Sequence, residues 1–137
     1  MTTTPAPSRT LAVRVYYEDT DFSGRVYHAS YLRFMERGRS EWLRALGFEH
    51  HVLSSEQGLV FAVRSLKIEY LAAAAIDDLL SVETRLAEVR GAAIEFAQRI
   101  LRGEETIAEA TVCVVALKDG RATRVPAELR AFFAATR

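Results

Sequence analysis

The sequence lacks the features that define several protein classes. Its 137 residues include one cysteine, Cys113, so an internal disulfide is excluded. The 18 Lys and Arg balance the 18 Asp and Glu, and this zero net charge argues against nucleic-acid binding, which usually needs a basic excess. The longest aliphatic runs, such as residues 71–76, are far shorter than the roughly 18 apolar residues of a membrane span. The composition predicts a globular protein with no membrane-spanning helix.

Sequence motifs of several enzyme classes are absent as well. The glycines are not spaced as in the G-x-G-x-x-G dinucleotide motif or the P-loop. There is no G-x-S-x-G, H-E-x-x-H or C-x-x-C motif, so serine hydrolases of that type and the common zinc sites are excluded. His50 and His51 are adjacent, which is not the spacing of a helical ligand pair. We therefore predict no metal site and no cofactor.

The length predicts one domain. Residues 1–10 have neither the basic region nor the apolar region of a signal peptide, and we expect them to form a disordered tail on a cytoplasmic protein. Residues 11–137 are expected to form the single domain.

A long amphipathic helix is predicted from about His28 to Leu46, because its apolar residues fall on one stripe at 100° per residue. Gly38 lies on that stripe, where a missing side chain allows close approach to a sheet. Five other segments have the alternation of β-strands, namely residues 11–17, 66–70, 80–86, 94–100 and 112–117. The last is apolar on both faces, which predicts a central strand.

Residues 50–58 are expected to form a polar loop, and Pro126 is expected to open a short C-terminal helix. A long helix segregated to one face of a curved five-stranded antiparallel sheet is an α+β architecture.

The segment that precedes the long helix is dense in polar side chains. Asp19 and Asp21 could cap or complement the helix N-terminus, and spacing alone favours this interpretation. In the alternative, one carboxylate attacks a substrate carbonyl or activates water, while backbone N–H groups at the helix start polarise that carbonyl. A thioester is a more reactive acyl donor than an amide and suits a lone carboxylate.

The run VRVYYEDTDFSGRVYHASYL, residues 13–32, resembles the signature of hot-dog-fold acyl-CoA thioesterases of the 4-hydroxybenzoyl-CoA thioesterase superfamily, most closely the Tol-Pal-associated YbgC branch. Further stretches agree, so the resemblance covers roughly residues 11–129. It implies a hot-dog fold and hydrolysis of short-chain or other acyl-CoA to free acid and CoA. Alternatives are an aromatic, 4-hydroxybenzoyl-type, acyl-CoA thioesterase, an acyl-carrier-protein thioesterase, or a non-catalytic acyl-CoA-binding module.

The resemblance also implies roles for individual residues. Asp21 matches the catalytic carboxylate, as nucleophile or general base, and Gly24 permits a tight entry into the helix. His28 lies at the helix start, where a backbone N–H polarises the thioester carbonyl. Tyr27 and Tyr31 are expected to line the acyl pocket, although Tyr31 suits the core equally well.

Binding of the CoA phosphates is implied for Arg90, followed by Gly91, in a turn after the third strand. Ala73 and Ala75 stand where related proteins often have Pro and Arg, so one CoA contact is absent here. Another hot-dog class uses a helix Glu, but Glu36 projects about 140° from the buried stripe. The resemblance further implies a homodimer or a dimer-of-dimers tetramer.

Overall fold

A computed structural model of the chain describes residues 8–136. One antiparallel sheet packs against one long helix, with two short helices at its margin. The strands are β1 Ser8–Arg14, β2 Leu59–Tyr70, β3 Leu79–Arg90, β4 Ala93–Arg102, β5 Glu105–Lys118 and β6 Arg121–Ala122, and the helices are α1 Ser30–Ala45, α2 His50–Gln57 and α3 Ala127–Thr136.

The order of the sheet is β1-β3-β4-β5-β2, with the two-residue β6 beside the end of β5. All of these neighbours are antiparallel. The long strand β2 is therefore an edge strand, paired with β5 on one side only. Several of its apolar side chains are exposed, namely Val60, Val63, Leu66 and Tyr70.

Helix α1 packs closely against β3 because Gly38 lies at the contact. A Cβ atom at Gly38 would come within 2.7 Å of Thr84 Oγ1 and 2.8 Å of Val82 Cγ1. One turn further, the buried Trp42 ring contacts the edges of Phe96 and Phe132, with centroids 5.4 and 5.6 Å away. The predicted helix and its close approach to the sheet are confirmed.

Two predictions about local structure are wrong, and a third is confirmed. Ser8–Thr10 belong to β1 and are not part of a tail, while residues 1–7 lie outside the described residues. Residues 50–57 form the helix α2, which buries Leu53 and ends where Gly58 adopts a left-handed φ of 64°. Strand β5 lies between β4 and β2, so the prediction that it is a central and not an edge strand is confirmed.

The short α3 begins directly after Pro126, as expected, and buries Leu129. None of the helices within residues 8–136 is long and apolar enough to cross a membrane.

Candidate active site

Between β1 and α1 the chain forms a tight turn that presents Asp21. The Asp21 N–H donates to the Arg25 carbonyl at 2.9 Å, and the Gly24 N–H donates to the Asp21 carbonyl at 3.0 Å. Gly24 has a φ of +80°, which residues with a side chain rarely adopt. This glycine therefore shapes the Asp21 turn, and the expectation that it forms the entry into the helix is wrong, since α1 begins only at Ser30.

The Asp21 carboxylate is exposed and accepts hydrogen bonds at one oxygen. The Ser23 hydroxyl and the Ser23 N–H, the latter at 2.8 Å, both donate to Oδ1. These bonds stabilise the charged form and hold the pKa of Asp21 below its usual value, with smaller contributions from Arg25 and His28. Within residues 8–136, Oδ2 accepts no hydrogen bond, so an ionised oxygen remains free at neutral pH.

Asp19 has a structural role. Its side chain is 6% exposed, and its Oδ2 accepts a hydrogen bond from the Tyr16 N–H at 2.8 Å. The N-cap of α1 is Ala29, and no side chain makes a capping bond there. The interpretation of Asp19 and Asp21 as caps of the long helix is therefore wrong.

His28 lies just before the first turn of α1. Its side chain is exposed, and in the part of the chain that the structure describes its N–H donates to no protein group. Asp21 and His28 belong to one hairpin, which is closed by the antiparallel Thr20–Val26 bridge. The same hairpin therefore carries an exposed carboxylate and an unpaired backbone donor, the two kinds of group that acyl transfer uses.

Tyr70, at the end of β2, is a site residue that the sequence reasoning did not identify. Its hydroxyl donates to the His28 carbonyl at 2.8 Å, and its ring lies 5.5 Å from that of Tyr31. Burial raises the pKa of Tyr70, so the hydroxyl stays protonated and remains a donor. Strand alternation grouped Tyr70 with the apolar residues of its strand, but only the fold shows which backbone group its hydroxyl reaches.

The two tyrosines expected to line an acyl pocket differ in environment. Tyr27 is 42% exposed and lies beside the His28 ring, with centroids 4.5 Å apart. Tyr31 is 3% exposed, and its hydroxyl accepts the Ala74 N–H at 3.0 Å. Tyr31 is thus a core residue that holds the segment before β3 against α1.

Arg90 and Gly91 lie far from Asp21 within one chain. The Asp21 turn pairs with the segment before β3, through the Arg25–Ala75 bridge. Arg90 is at the other end of β3, whose 12 residues span about 35–40 Å. The exposed Arg90 side chain pairs weakly with Glu88, with Nε and Oε1 3.5 Å apart, and Gly91 forms the turn with a φ of 55°. A single chain does not bring this turn to the Asp21 carboxylate.

Within residues 8–136, no three His, Cys, Asp or Glu side chains are grouped so that they could hold a metal ion. His50 instead contacts a serine, with Nε2 3.1 Å from Ser40 Oγ.

A family model of the thioesterase-like superfamily matches residues 15–133, and the chain belongs to that family. A Haemophilus influenzae protein named acyl-CoA thioesterase YbgC is 50% identical over 123 residues, which cover 88% of this chain and 90% of that protein. An Escherichia coli protein named acyl-CoA thioester hydrolase YbgC is 48% identical over 104 residues, 75% of this chain and 77% of that protein.

The fold is also that of solved thioesterases. The 4-hydroxybenzoyl CoA thioesterase from a Pseudomonas species superposes with a TM-score of 0.85 at 24% identity, covering 93% of this chain and 99% of that one. The expected hot-dog fold, a long helix wrapped by an antiparallel sheet, is confirmed.

Proposed function

We propose that this enzyme hydrolyses acyl-CoA thioesters with Asp21 as the reacting carboxylate. The observation that carries the proposal is the ionised, exposed Asp21 beside the uncapped start of α1. The sequence similarity to proteins named acyl-CoA thioesterase YbgC supports the same activity.

The helix start supplies the polarising group. The unpaired His28 N–H is free to donate to the thioester oxygen, and negative charge that develops there is stabilised by the positive end of α1. Tyr70 holds the His28 carbonyl through its 2.8 Å hydrogen bond, and so orients the backbone at that point. Tyr70 is a positioning residue in this mechanism.

We propose that Asp21 acts as a nucleophile rather than as a general base, because its Oδ2 is exposed and accepts no hydrogen bond within residues 8–136. A general base works best with a pKa near the operating pH, whereas a nucleophile needs only to be ionised. Oδ2 attacks the thioester carbon and expels CoA thiolate, which leaves a mixed anhydride on Asp21. Water then cleaves the anhydride, releases the free acid and regenerates the carboxylate.

We propose that the working enzyme is a homodimer, or a tetramer built from dimers, joined along β2. An unpaired strand of 12 residues with exposed apolar side chains offers a ready edge for pairing. Antiparallel pairing of two copies of β2 lays the Leu59 end of one against the Tyr70 end of the other. Light scattering tests the proposal and should give at least twice the 15.3 kDa mass of the chain.

This pairing also gives Arg90 a role. The Leu59 end of β2 and the Arg90 end of β3 lie at the same side of the sheet, so a partner's Arg90 comes to the side of the sheet where Asp21 lies. An Arg–phosphate contact at the unreacting end of CoA helps the ground state and the transition state equally.

Arg90→Ala should therefore raise KM for acyl-CoA roughly tenfold, about 1.4 kcal/mol, and leave kcat nearly unchanged. A truncated acyl-N-acetylcysteamine thioester, which has no phosphates, is the control and should show little change. An equal loss of kcat/KM on both substrates would show that Arg90 stabilises the turn and does not bind the phosphates.

The activity is tested by thiol release from a panel of aliphatic and aromatic acyl-CoAs. Turnover of at least one member is expected, and its chain length identifies the substrate class. A single turnover in ¹⁸O-water distinguishes the routes, because hydrolysis of an anhydride at its protein carbonyl places label in Asp21. Binding without turnover across the panel would instead support a non-catalytic acyl-CoA module.

We also propose a cytoplasmic location, which is consistent with the free thiol of Cys113. Fractionation of cells with an antibody to the chain tests this.

A further inference from the structure

A cavity lies between α1, α2 and the sheet beside the edge strand β2, and no residue of the Asp21 turn lines it. Its volume is about 290 Å³, close to the lower limit for small-molecule sites. One wall is apolar and includes Phe61, Phe96 and Val114. The other wall carries Glu36, Arg39, Ser40 and His50, so polar and apolar groups face the same space.

Arg39 is a partly buried cation that the catalytic mechanism does not use. Its Nη1 donates to Gln98 Oε1 at 2.9 Å. Within residues 8–136, this is the only hydrogen bond that the Arg39 side chain makes. No carboxylate among those residues forms an ion pair with it within 4.0 Å. Guanidinium has five N–H donors, so most of its donors remain available.

The environment of Arg39 disfavours an unpaired charge. Burial lowers the pKa of Arg39, and the more distant, exposed Glu36 opposes this only in part. A cation removed from water without a counter-ion costs free energy, and a ligand anion would remove that cost.

Two further polar groups lie next to Arg39 in the same wall. Ser40 Oγ and His50 Nε2 are 3.1 Å apart, and when His50 donates to Ser40 the serine hydroxyl is free to donate into the cavity. A guanidinium and a hydroxyl above an apolar floor match a carboxylate joined to a short carbon chain.

We propose that this cavity binds the carboxylate of a short-chain carboxylic acid, with Arg39 as its charge partner. The carboxylate has two possible sources. One is the far end of a dicarboxylic acyl group, and the other is a free carboxylic acid of the kind that thioester hydrolysis releases.

The first source rests on the proposed function and the proposed β2 pairing. Phe61 is near the Leu59 end of β2, so pairing would bring this cavity next to the partner's Tyr70, which bonds to the backbone of His28. An acyl group bound for reaction at one subunit's Asp21 would then extend into the cavity of the other.

Glutaryl-CoA and pentanoyl-CoA test the first source, because they have the same five carbons and differ by a terminal carboxylate. If the acyl group supplies the carboxylate, the ratio of kcat/KM for glutaryl-CoA to that for pentanoyl-CoA should fall at least tenfold in Arg39→Gln. Arg39→Lys keeps the charge and should restore part of the ratio.

Calorimetric titration with free pentanoate and glutarate tests the second source. It is done on the Asp21→Asn protein, so it does not depend on turnover. Binding in this protein that weakens at least tenfold when Arg39→Gln is added supports the free acid as ligand.

Arg39 also bonds to the buried Gln98, so folding is checked by the unfolding temperature without ligand. If Arg39→Gln does not fold, Ser40→Ala and His50→Ala replace it in both measurements, and each should reduce the substrate ratio or the affinity about two- to tenfold. The proposal is overturned if neither the substrate ratio nor acid binding depends on these residues. Loss of thiol release alone would overturn the proposed function and leave the titration as a separate test of the cavity.

Discussion

The first turn of α1 and the middle of the same helix follow opposite rules. At the first turn the N-cap makes no side-chain bond, His28 is exposed and its N–H is unpaired. In the middle, Gly38 leaves no space for even one methyl group, and the buried Gln98 donates to the Met35 carbonyl and to Thr84 Oγ1. The buried polar groups where α1 faces β3 bond to one another, whereas the His28 N–H before the first turn is free to bind a ligand. One helix can therefore be rigid where it is held and reactive where it begins.

The first and largest expected effect tests the reactive end. Asp21→Asn keeps the size and the acceptor for Ser23 but removes the charge, so kcat should fall 100-fold or more while the unfolding temperature stays the same. Thiol release and thermal unfolding measure the two quantities.

Asp119→Asn is a matched control, because Asp119 is exposed in the turn before β6. Asp19→Asn retains an acceptor for the Tyr16 N–H and should lose much less activity than Asp21→Asn. Near wild-type turnover in a folded Asp21→Asn protein would contradict the role of Asp21.

The second prediction tests the middle of α1, where the helix packs against β3. Gly38→Ala should lower the free energy of unfolding by about 1–3 kcal/mol, because the new methyl group overlaps Thr84 and Val82. The higher helix propensity of alanine, about 1 kcal/mol, offsets part of this loss. Urea unfolding measures the change.

Arg33→Ala, on the exposed face of the same helix, is the control for Gly38→Ala and should change the free energy of unfolding little. A more stable Gly38→Ala protein would show that the helix can move away from the sheet.

The third prediction concerns the link between the edge strand and the first turn. Tyr70→Phe removes only the hydroxyl that bonds to the His28 carbonyl, so kcat should fall roughly two- to tenfold with little change in KM. Steady-state kinetics separate the two constants. Tyr17→Phe, at a position that is 83% exposed, is the control. A change confined to KM would instead place Tyr70 in substrate binding.

The smallest effect is a shift in pH dependence. Because hydrogen bonds from Ser23 hold the pKa of Asp21 below its usual value, activity should be lost only when the pH falls through that lowered pKa. Ser23→Ala removes the hydroxyl bond, raises the pKa of Asp21 and should move the acid limb of kcat/KM to higher pH. The same profile for Ser54→Ala, exposed on α2, should match the wild type, and an unmoved limb in Ser23→Ala would assign it to another group.

The same contrast explains what the sequence could predict. Periodicity located α1 and part of each of the five long strands, and Gly38 on the apolar stripe indicated a close approach to a sheet. These features depend on local alternation, which each segment carries by itself. The helix α2 was missed because its exposed histidines and serines have no apolar stripe, and Leu53 and the stop at Gly58 were its main signals.

At the candidate site, the resemblance implied roles for Asp21 and His28, whereas spacing alone favoured capping. Only the fold shows that no side chain caps α1 at Ala29 and that the Asp19 carboxylate accepts the Tyr16 N–H. Tyr70 reaches His28 across 42 residues of sequence, a contact that no local pattern contains. Likewise, only the fold shows that Arg90 lies at the end of β3 that is far from the Asp21 turn.

The unpaired edge of β2 also affects the folding and assembly of the protein. If two copies pair along β2 as proposed, a newly folded chain presents unpaired backbone groups and apolar side chains along 12 residues until a second copy covers them. The time that two chains need to associate increases as the protein concentration falls. The folding of each single chain does not depend on the concentration. During renaturation, activity should therefore lag behind the recovery of helix signal, and the lag should lengthen with dilution. In a cell, the exposed strand would be open to chaperones and to wrong partners during that interval.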